Sequence, residues 1–512
     1  MDSQDIHVAT HLREGEPFQK AAGVDPCTLV LFGATGDLAL RKLFPALFEL
    51  ARSGSLPEQF SIVTFSRSHQ DGGTFRARVR EGLERFARTQ PLDEAAWERF
   101  ADRLEYVNGP YDDPASFTRL REKLEEVDAK FGIGGNQLYY LATPASTFHA
   151  ILQGLAGAEL LVRQPKPTLG WRRLIIEKPF GRDLETAKEL NRELAEVLDE
   201  RQIFRIDHYL GKETVQNILV LRFANAIFEP LWNRQHIDRV EITAAESIGV
   251  EGRGGFYDET GVVRDMVQNH LLQVLALCAM EAPLSFGAED IRDEKNKVLR
   301  ALRPIQGDEV AREVVVGQYR GYGEEKGVAE GSKTPTYVAL KLNVDTWRWQ
   351  GVPFFVRAGK KLKKRTTEVA IHFKAVPICL FGGDDTCQRL EPNVLTIRIQ
   401  PQEGVGLSIE SKVPGEDVRI AGVSLDFGYA ETFKKPVPEA YERLLLDAMR
   451  GNATLFARKD SVEQAWAFVT PILRALESGE GGEVHAYEPG TVGPSAAAAL
   501  PARHGRGWRT LA

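Results

Sequence analysis

The densest polar cluster in the chain is Arg205-Ile206-Asp207-His208-Tyr209-Leu210-Gly211-Lys212-Glu213. His208, Tyr209 and Lys212 supply the hydrogen-bond donors that a phosphate monoester needs, and Asp207 can orient a histidine from another element. By composition alone the same residues also suit a polar linker facing water. His270 stands in Arg264-Asp265-Met266-Val267-Gln268-Asn269-His270-Leu271-Leu272-Gln273, inside an otherwise apolar helical stretch. A histidine there is either a hydrogen-bonded core residue or a general base, and the second role needs a carboxylate to hold its tautomer. Asp265 is not expected to serve. Five residues along an α-helix advance roughly 500°, leaving the two side chains about 140° apart. Asp207 has no such constraint, because it comes from a different element.

Two further groups point to a nucleotide and a phosphate. Gly33-Ala34-Thr35-Gly36-Asp37-Leu38 closes a short apolar run and opens a helical pattern. A strand that ends in glycines and enters a helix presents free N–H groups to a phosphate. The spacing is GxxG rather than GxGxxG, so alone it also reads as an ordinary tight turn. Arg67 follows the second strand candidate, with Ser66 and Ser68 beside it. At that position of a dinucleotide fold an acid receives the ribose hydroxyls, whereas an arginine accommodates a 2′-phosphate, so NADP is favoured over NAD. From position alone a solvated surface arginine is an equal reading. The basic run Arg357-Ala358-Gly359-Lys360-Lys361-Leu362-Lys363-Lys364-Arg365 suits a phosphate or a solvated face.

These residues need a scaffold. Apolar runs at 27–32, 60–65, 137–142 and 173–177 alternate with helical stretches. That alternation predicts a parallel sheet covered on both faces. Beyond 206 a long helix, roughly 259–280, lies among alternating apolar and polar segments at 239–243, 337–342, 368–373 and 395–399. They predict an antiparallel sheet with one wetter face. The expected fold is therefore an α/β Rossmann-type doubly wound domain followed by an α+β domain with a large, mainly antiparallel sheet. The expected divisions are a flexible arm over 1–26, a dinucleotide-binding domain over 27–205, a substrate-binding and oligomerisation domain over 206–490 and an irregular tail over 491–512.

A length of 512 residues favours two domains, and 43% hydrophobic with 27% charged residues is ordinary for a globular protein. The net charge of −7 does not favour nucleic acid or anionic lipid as a partner. Cys27, Cys278, Cys379 and Cys387 have no CxxC or metal-ligand spacing, so no metal site is expected. Few, scattered cysteines, a polar N-terminus and no apolar run long enough to span a bilayer predict a cytoplasmic location.

Taken in order, the glycine turn, Glu177-Lys178-Pro179-Phe180-Gly181, the 205–213 block, Arg222-Phe223-Ala224-Asn225, Gly252-Arg253-Gly254-Gly255 and the 264–273 block closely resemble the glucose-6-phosphate dehydrogenase family. The resemblance runs from about residue 27 to 475. It implies oxidation of β-D-glucose 6-phosphate at C1 to 6-phosphoglucono-1,5-lactone with NADP, the first step of the oxidative pentose phosphate pathway. It implies that His270 is the general base and Asp207 its carboxylate partner. His208, Tyr209, Lys212, Glu246, Asp265, Lys360 and, less securely matched, Arg365 then contact the sugar phosphate. Lys178 lies between sugar and nicotinamide, and Pro179 follows a cis bond. Gly33, Ala34, Thr35, Gly36, Asp37, Leu38 and Arg67 hold the cofactor, and the family suggests a homodimer or homotetramer. Thr366 and Thr367 replace a basic side chain that some animal members use for a second, structural NADP. Two other readings share the fold: an NADP sugar oxidoreductase acting on unphosphorylated glucose, and a catalytically silent NADP-binding sensor. The histidine–lysine cluster argues against the first, and the joint presence of Asp207 and His270 against the second.

Overall fold

The apolar run Cys27–Phe32 forms β1, with every residue buried. Five parallel strands join it in the first sheet: β2 (Phe60–Ser66), β3 (Leu104–Asn108), β4 (Gln137–Leu141), β5 (Arg172–Ile176) and β6 (Ile203–Ile206). Their spatial order, β3-β2-β1-β4-β5-β6, is the doubly wound order of a dinucleotide-binding fold. The order reverses between β1 and β4, which opens a crevice at their carboxyl ends. The computed structural model describes residues 23–163, 170–378, 380–381, 390–416, 418–434 and 438–511. Residues 1–22 of the expected N-terminal arm, and both Cys379 and Cys387, lie outside the described residues.

The second sheet contains β7 (Ile237–Ala245), β8 (Val314–Tyr319), β9 (Tyr337–Asn343), β10 (Pro353–Gly359), β11 (Thr366–Phe373), β12 (Val394–Gln400), β13 (Gly404–Val413), β14 (Arg419–Gly428) and, further on, β16 (Val484–Tyr487). Its order is β14-β13-β12-β11-β7-β10-β9-β8-β16. Only β7–β10 and β8–β16 pair in parallel, so the expectation of a mainly antiparallel sheet holds.

The expected wet face is corrected over the centre of this sheet. A helical segment spanning Val263–Leu271 covers one side of β7 and β10. The chain after 491 covers the other, and the expected irregular tail is not wholly irregular, because Ala496–Ala502 form a helix against β8 and β9. Beyond that helix Trp508 packs on Phe355 at 5.8 Å, and the Arg357 guanidinium lies 4.6 Å from its ring centroid. The polar residues of β7 face this segment rather than water. Glu241 accepts from the Arg509 N–H at 2.8 Å and from Arg239 at 2.9 Å, and Asp238 pairs with Arg506 at 2.6 Å. A polar side chain on an alternating strand thus finds charged partners in the protein, which satisfies it as well as water would. Only β13 and β14 keep largely open faces.

The first sheet also draws on chain from beyond the expected 205/206 division. A seventh strand, β15 (Phe456–Ala457), returns to the first sheet and pairs antiparallel with β6. The following helix, Lys459–Ser478, packs on the helix Leu184–Val197, and the Trp466 indole donates to the Phe180 carbonyl at 2.8 Å. The nucleotide-binding unit is therefore built from two separated stretches of chain. Among the described residues, no helix is long and apolar enough to cross a membrane.

Gly33, at the end of β1, has φ +78°, and a Cβ there would lie 2.5 Å from the Ala142 carbonyl oxygen beyond β4. Both the backbone conformation and the approach of β4 exclude a side chain. Gly33→Ala is expected to cost about 1–3 kcal/mol from the left-handed backbone alone, with the backbone collision in addition. Calorimetry should show a lowered midpoint; an unchanged one would mean that the two strands separate freely at this point.

Candidate functional site

Two strands of the first sheet and one helix of the second half deliver the central residues. Lys178 lies just past β5, and its bond to Pro179 is cis. Asp207 lies just past β6. Carboxyl ends of parallel strands are where ligands bind in such sheets. His270 comes from Val263–Leu271, which is wound as a π-helix. Its Nδ1 lies 2.5 Å from Asp207 Oδ1, and each side chain is only 1% exposed. The Lys178 ammonium reaches His270 Nε2 at 3.0 Å and Asp265 Oδ1 at 2.9 Å.

The π winding corrects the expectation about Asp265. Hydrogen bonds run from i to i+5, so residues five apart stand one turn apart on the same side. Asp265 and His270 consequently meet the same lysine. Asp265 still does not orient the ring, because that bond belongs to Asp207. The partners also fix the tautomer: Nδ1 donates to the carboxylate, and Nε2 is left as the acceptor.

Burial and charge set the protonation states. Burial lowers the His270 pKa and the Lys178 ammonium lowers it further, while Asp207 partly restores it. Burial alone would raise Asp207, but the imidazoles of His270 and His208 and the bond from His270 hold it to about 2. Burial likewise opposes ionisation of Asp265, yet Lys178 and Lys360 keep its carboxyl well below the usual range. The site therefore holds a neutral imidazole backed by an ionised carboxylate, the state that a general base requires.

The parallel pair β7–β10 supplies a second group. Glu246 and Lys360 follow those strands, and the Lys360 ammonium meets Glu246 Oε2 at 2.5 Å. The Tyr209 ring stacks on His270 at 4.3 Å with planes 12° apart, while His208 meets His270 edge-on at 4.5 Å. Burial, with His270 and Lys178, holds the His208 pKa well below 6.5, so His208 is a neutral donor rather than a cation. The Tyr209 hydroxyl is engaged by Thr367, and its ring forms a wall against the His270 imidazole. The Lys212 ammonium lies 5.0 Å from the centroid of that ring, and burial lowers its pKa to about 8. The basic run at 357–365 divides: Arg357 faces the tail, Lys360 the site, and Lys361 pairs with Glu325.

Two features went unseen in the sequence. Gln400, at the end of β12, accepts from both Lys212 and Arg365 and donates to Thr367 at 2.9 Å. It thereby gathers a corner where two cations converge, with Arg365 exposed. Its only sequence signal is a glutamine at a strand end before Pro401. Glu177, beside Lys178, is buried and accepts from Tyr140 at 2.7 Å and Tyr441 at 3.2 Å. It anchors the strand end that aims the lysine.

The glycine turn lies at the β1–β4 crevice. The N–H groups of Ala34 and Thr35 have no acceptor among the described residues. Thr35 Oγ1 lies 3.0 Å from Ser66 Oγ and 3.4 Å from Ser68 Oγ, which ties the turn to the loop carrying Arg67. Arg67 is exposed, with its guanidinium 5.5 Å from the Tyr111 ring centroid. Asp37 turns outward to Arg41 at 3.6 Å, and Leu38 begins the covering helix. Free N–H groups, a glycine that lets the backbone approach and an unneutralised guanidinium fit the pyrophosphate and 2′-phosphate of NADP.

Comparisons with known proteins agree over nearly the whole chain. The family described as "Glucose-6-phosphate dehydrogenase, NAD binding domain" matches residues 30–217, and "Glucose-6-phosphate dehydrogenase, C-terminal domain" matches 219–509. A glucose-6-phosphate 1-dehydrogenase of Aggregatibacter actinomycetemcomitans is 48% identical over 493 residues, covering 94% of this chain and 97% of that one. One from Chlamydia pneumoniae is 44% identical over 499 residues, covering 95% and 96%. A solved glucose-6-phosphate dehydrogenase in complex with its substrate glucose-6-phosphate superposes with a TM-score of 0.87 at 37% identity, covering 96% of this chain and all of that one. The Mycobacterium avium structure gives 0.81 at 41% identity, covering 95% and 99%.

Proposed function

Since the chain belongs to the glucose-6-phosphate dehydrogenase family, we infer that it oxidises β-D-glucose 6-phosphate at C1 to 6-phosphoglucono-1,5-lactone with NADP. The observation that carries the residue-level reading is the buried His270–Asp207 pair, reached by Lys178 from the nucleotide-binding half. NADP held at the glycine turn supplies the acceptor for the hydride that leaves C1. His270 Nε2 takes the proton of the C1 hydroxyl, and Asp207 meets the positive charge that then forms on the ring. Loss of one proton and one hydride turns the hemiacetal carbon into the lactone carbonyl. Lys178, Asp265, Glu246 and Lys360 orient the sugar beside the base. His208, Lys212 and Arg365 hold the phosphate. Fixing a remote phosphate holds the reacting carbon in line, which is worth rate as well as affinity.

Initial rates with glucose 6-phosphate and with glucose, each with NADP and NAD, test the reading. Turnover confined to the phosphorylated sugar supports it. Equal rates on glucose would favour the unphosphorylated-sugar alternative, and cofactor binding without reduction would favour the silent sensor. Lys212→Ala is expected to raise the KM for glucose 6-phosphate about tenfold to a hundredfold, the worth of a hydrogen bond to a charged group. A selective change in the KM for NADP would show that Lys212 belongs to the other ligand.

Assembly into a homodimer or homotetramer belongs to the same proposal. It is supported by the exposed faces of β13 and β14 and by β14 lying at the end of the sheet order. A cytoplasmic setting is supported by the unpaired thiols of Cys27 and Cys278.

A further inference from the structure

The helix Gly72–Phe86 faces the glycine turn, and its arginines have different fates. Arg76 spends its donors on the carbonyls of Ala101 and Leu104 at 3.1 and 2.8 Å. Arg80 is neutralised by Glu84 at 2.9 Å and Glu94 at 2.5 Å. Arg85 lies over Phe86. Arg78 instead reaches back to the turn, where Nη2 donates to the Thr35 carbonyl at 2.9 Å. That bond is its single hydrogen bond among the described residues, so Nε and Nη1 keep their donors, and no carboxylate pairs with it.

Thr35 is thus held from two sides. Its hydroxyl joins Ser66 and Ser68, the residues flanking Arg67, and its carbonyl joins Arg78. Arg67 also has no carboxylate partner among the described residues. The nearest helix-start acid, Asp71, is turned onto Thr74, with its backbone N–H at 2.9 Å and its hydroxyl at 2.8 Å. Arg67 on the loop after β2 and Arg78 on the helix are thus both exposed, both linked to the turn through Thr35 or its serine partners, and both without a carboxylate partner among the described residues, which suits a dianion. Paired forks of this kind match phosphate oxygens in a way a single fork cannot.

We propose that Arg78 is a second specificity-determining residue for the cofactor, acting with Arg67 on the 2′-phosphate of NADP. The proposal rests on the NADP reading above. One Nη2 hydrogen keeps the turn in place while the donors left free on Arg78 meet the phosphate. Arg78 therefore raises affinity for the 2′-phosphorylated nucleotide and not for its unphosphorylated counterpart.

Isothermal titration of the full-length enzyme with 2′,5′-ADP and with 5′-AMP tests this in the wild type, Arg78→Gln, Arg78→Lys and Arg67→Gln. The expected result is about a tenfold or larger fall in affinity for 2′,5′-ADP in Arg78→Gln, the worth of a charged hydrogen bond, with 5′-AMP affinity within about twofold. Arg78→Lys should recover part of the loss, because it restores charge without the fork. The salt dependence of 2′,5′-ADP binding should flatten in Arg78→Gln. Equal losses for both nucleotides would overturn the proposal, since they would show that Arg78 only braces the turn. No loss for either would overturn it too. A wild type that binds both nucleotides equally would instead sink the NADP reading itself. Matching circular dichroism and thermal midpoints among the variants separate these outcomes from misfolding.

Discussion

His270→Asn is expected to lower kcat about 10³- to 10⁴-fold while glucose 6-phosphate still binds within a few-fold of the wild-type affinity. Asparagine keeps a polar group of similar reach toward Asp207 but cannot accept a proton at the position of Nε2. General base catalysis by a positioned imidazole contributes up to about 10⁴-fold, and this ring is bonded to an ionised carboxylate. Lys178, Asp265, Glu246, Lys360 and Lys212 remain in place to hold the sugar phosphate. Steady-state kinetics and direct titration of the substrate, measured together, give the split between kcat and affinity. Undiminished turnover would remove His270 from the chemistry. Loss of binding with normal turnover at saturation would make it a sugar contact.

Asp207→Asn is the second large effect, with a fall in kcat of about 10³- to 10⁴-fold for a different reason. An amide facing Nδ1 can donate as well as accept, so it allows the tautomer in which Nε2 carries the proton and is useless as a base. The pH profile separates this from a general loss of structure. In the wild type, burial and Lys178 lower the His270 pKa, so the acid limb of kcat/KM should lie below pH 6.5. Asp207 raises that pKa, so its removal should move the limb to still lower pH while the plateau falls. An unmoved limb would show that the carboxylate does not face the base. Stability responds with a definite sign. Folding lowers the Asp207 pKa to about 2, so its ionised form stabilises the fold fully above about pH 4, and that contribution is lost as pH falls through 2. Asp207→Asn should flatten the pH dependence of the thermal midpoint in that acid window.

The parts of this site that were legible in the sequence are those written in short stretches. The run Cys27–Phe32, the glycine turn and the helix after it form one local pattern, in which burial of the strand and conformation of the turn are decided by neighbours. The 205–213 block carries its own chemistry in adjacent residues. The pairing of Asp207 with His270 spans 63 residues and depends on how a strand end and a distant helix pack, so spacing supplied the candidates and not their contact. The π winding at Val263–Leu271 leaves no trace in propensity, so the α-helical separation of Asp265 from His270 does not apply, although Asp207 rather than Asp265 orients the ring as expected. Gln400 escaped because its role arises from three partners on other elements. The tail escaped because Gly, Pro and Ala give no period, whereas its anchors, Arg506, Trp508 and Arg509, act singly. The polar face of β7 was read as wet because alternation reports that side chains differ, not what covers them.

The strand Phe456–Ala457 sets the order in which this protein can mature. A nascent chain that has left the ribosome only as far as residue 206 displays β6 with one edge unpaired, and that edge stays open until residues 456–457 are translated. Unpaired strand edges recruit other chains, so the long interval of synthesis between the two is the window in which a chaperone has most to protect. The helix Lys459–Ser478 then arrives with the same segment and seats against Leu184–Val197. The nucleotide-binding half therefore finishes folding near the end of translation rather than at its beginning, and a fragment ending at 206 would leave the cell with a sticky, unfinished sheet.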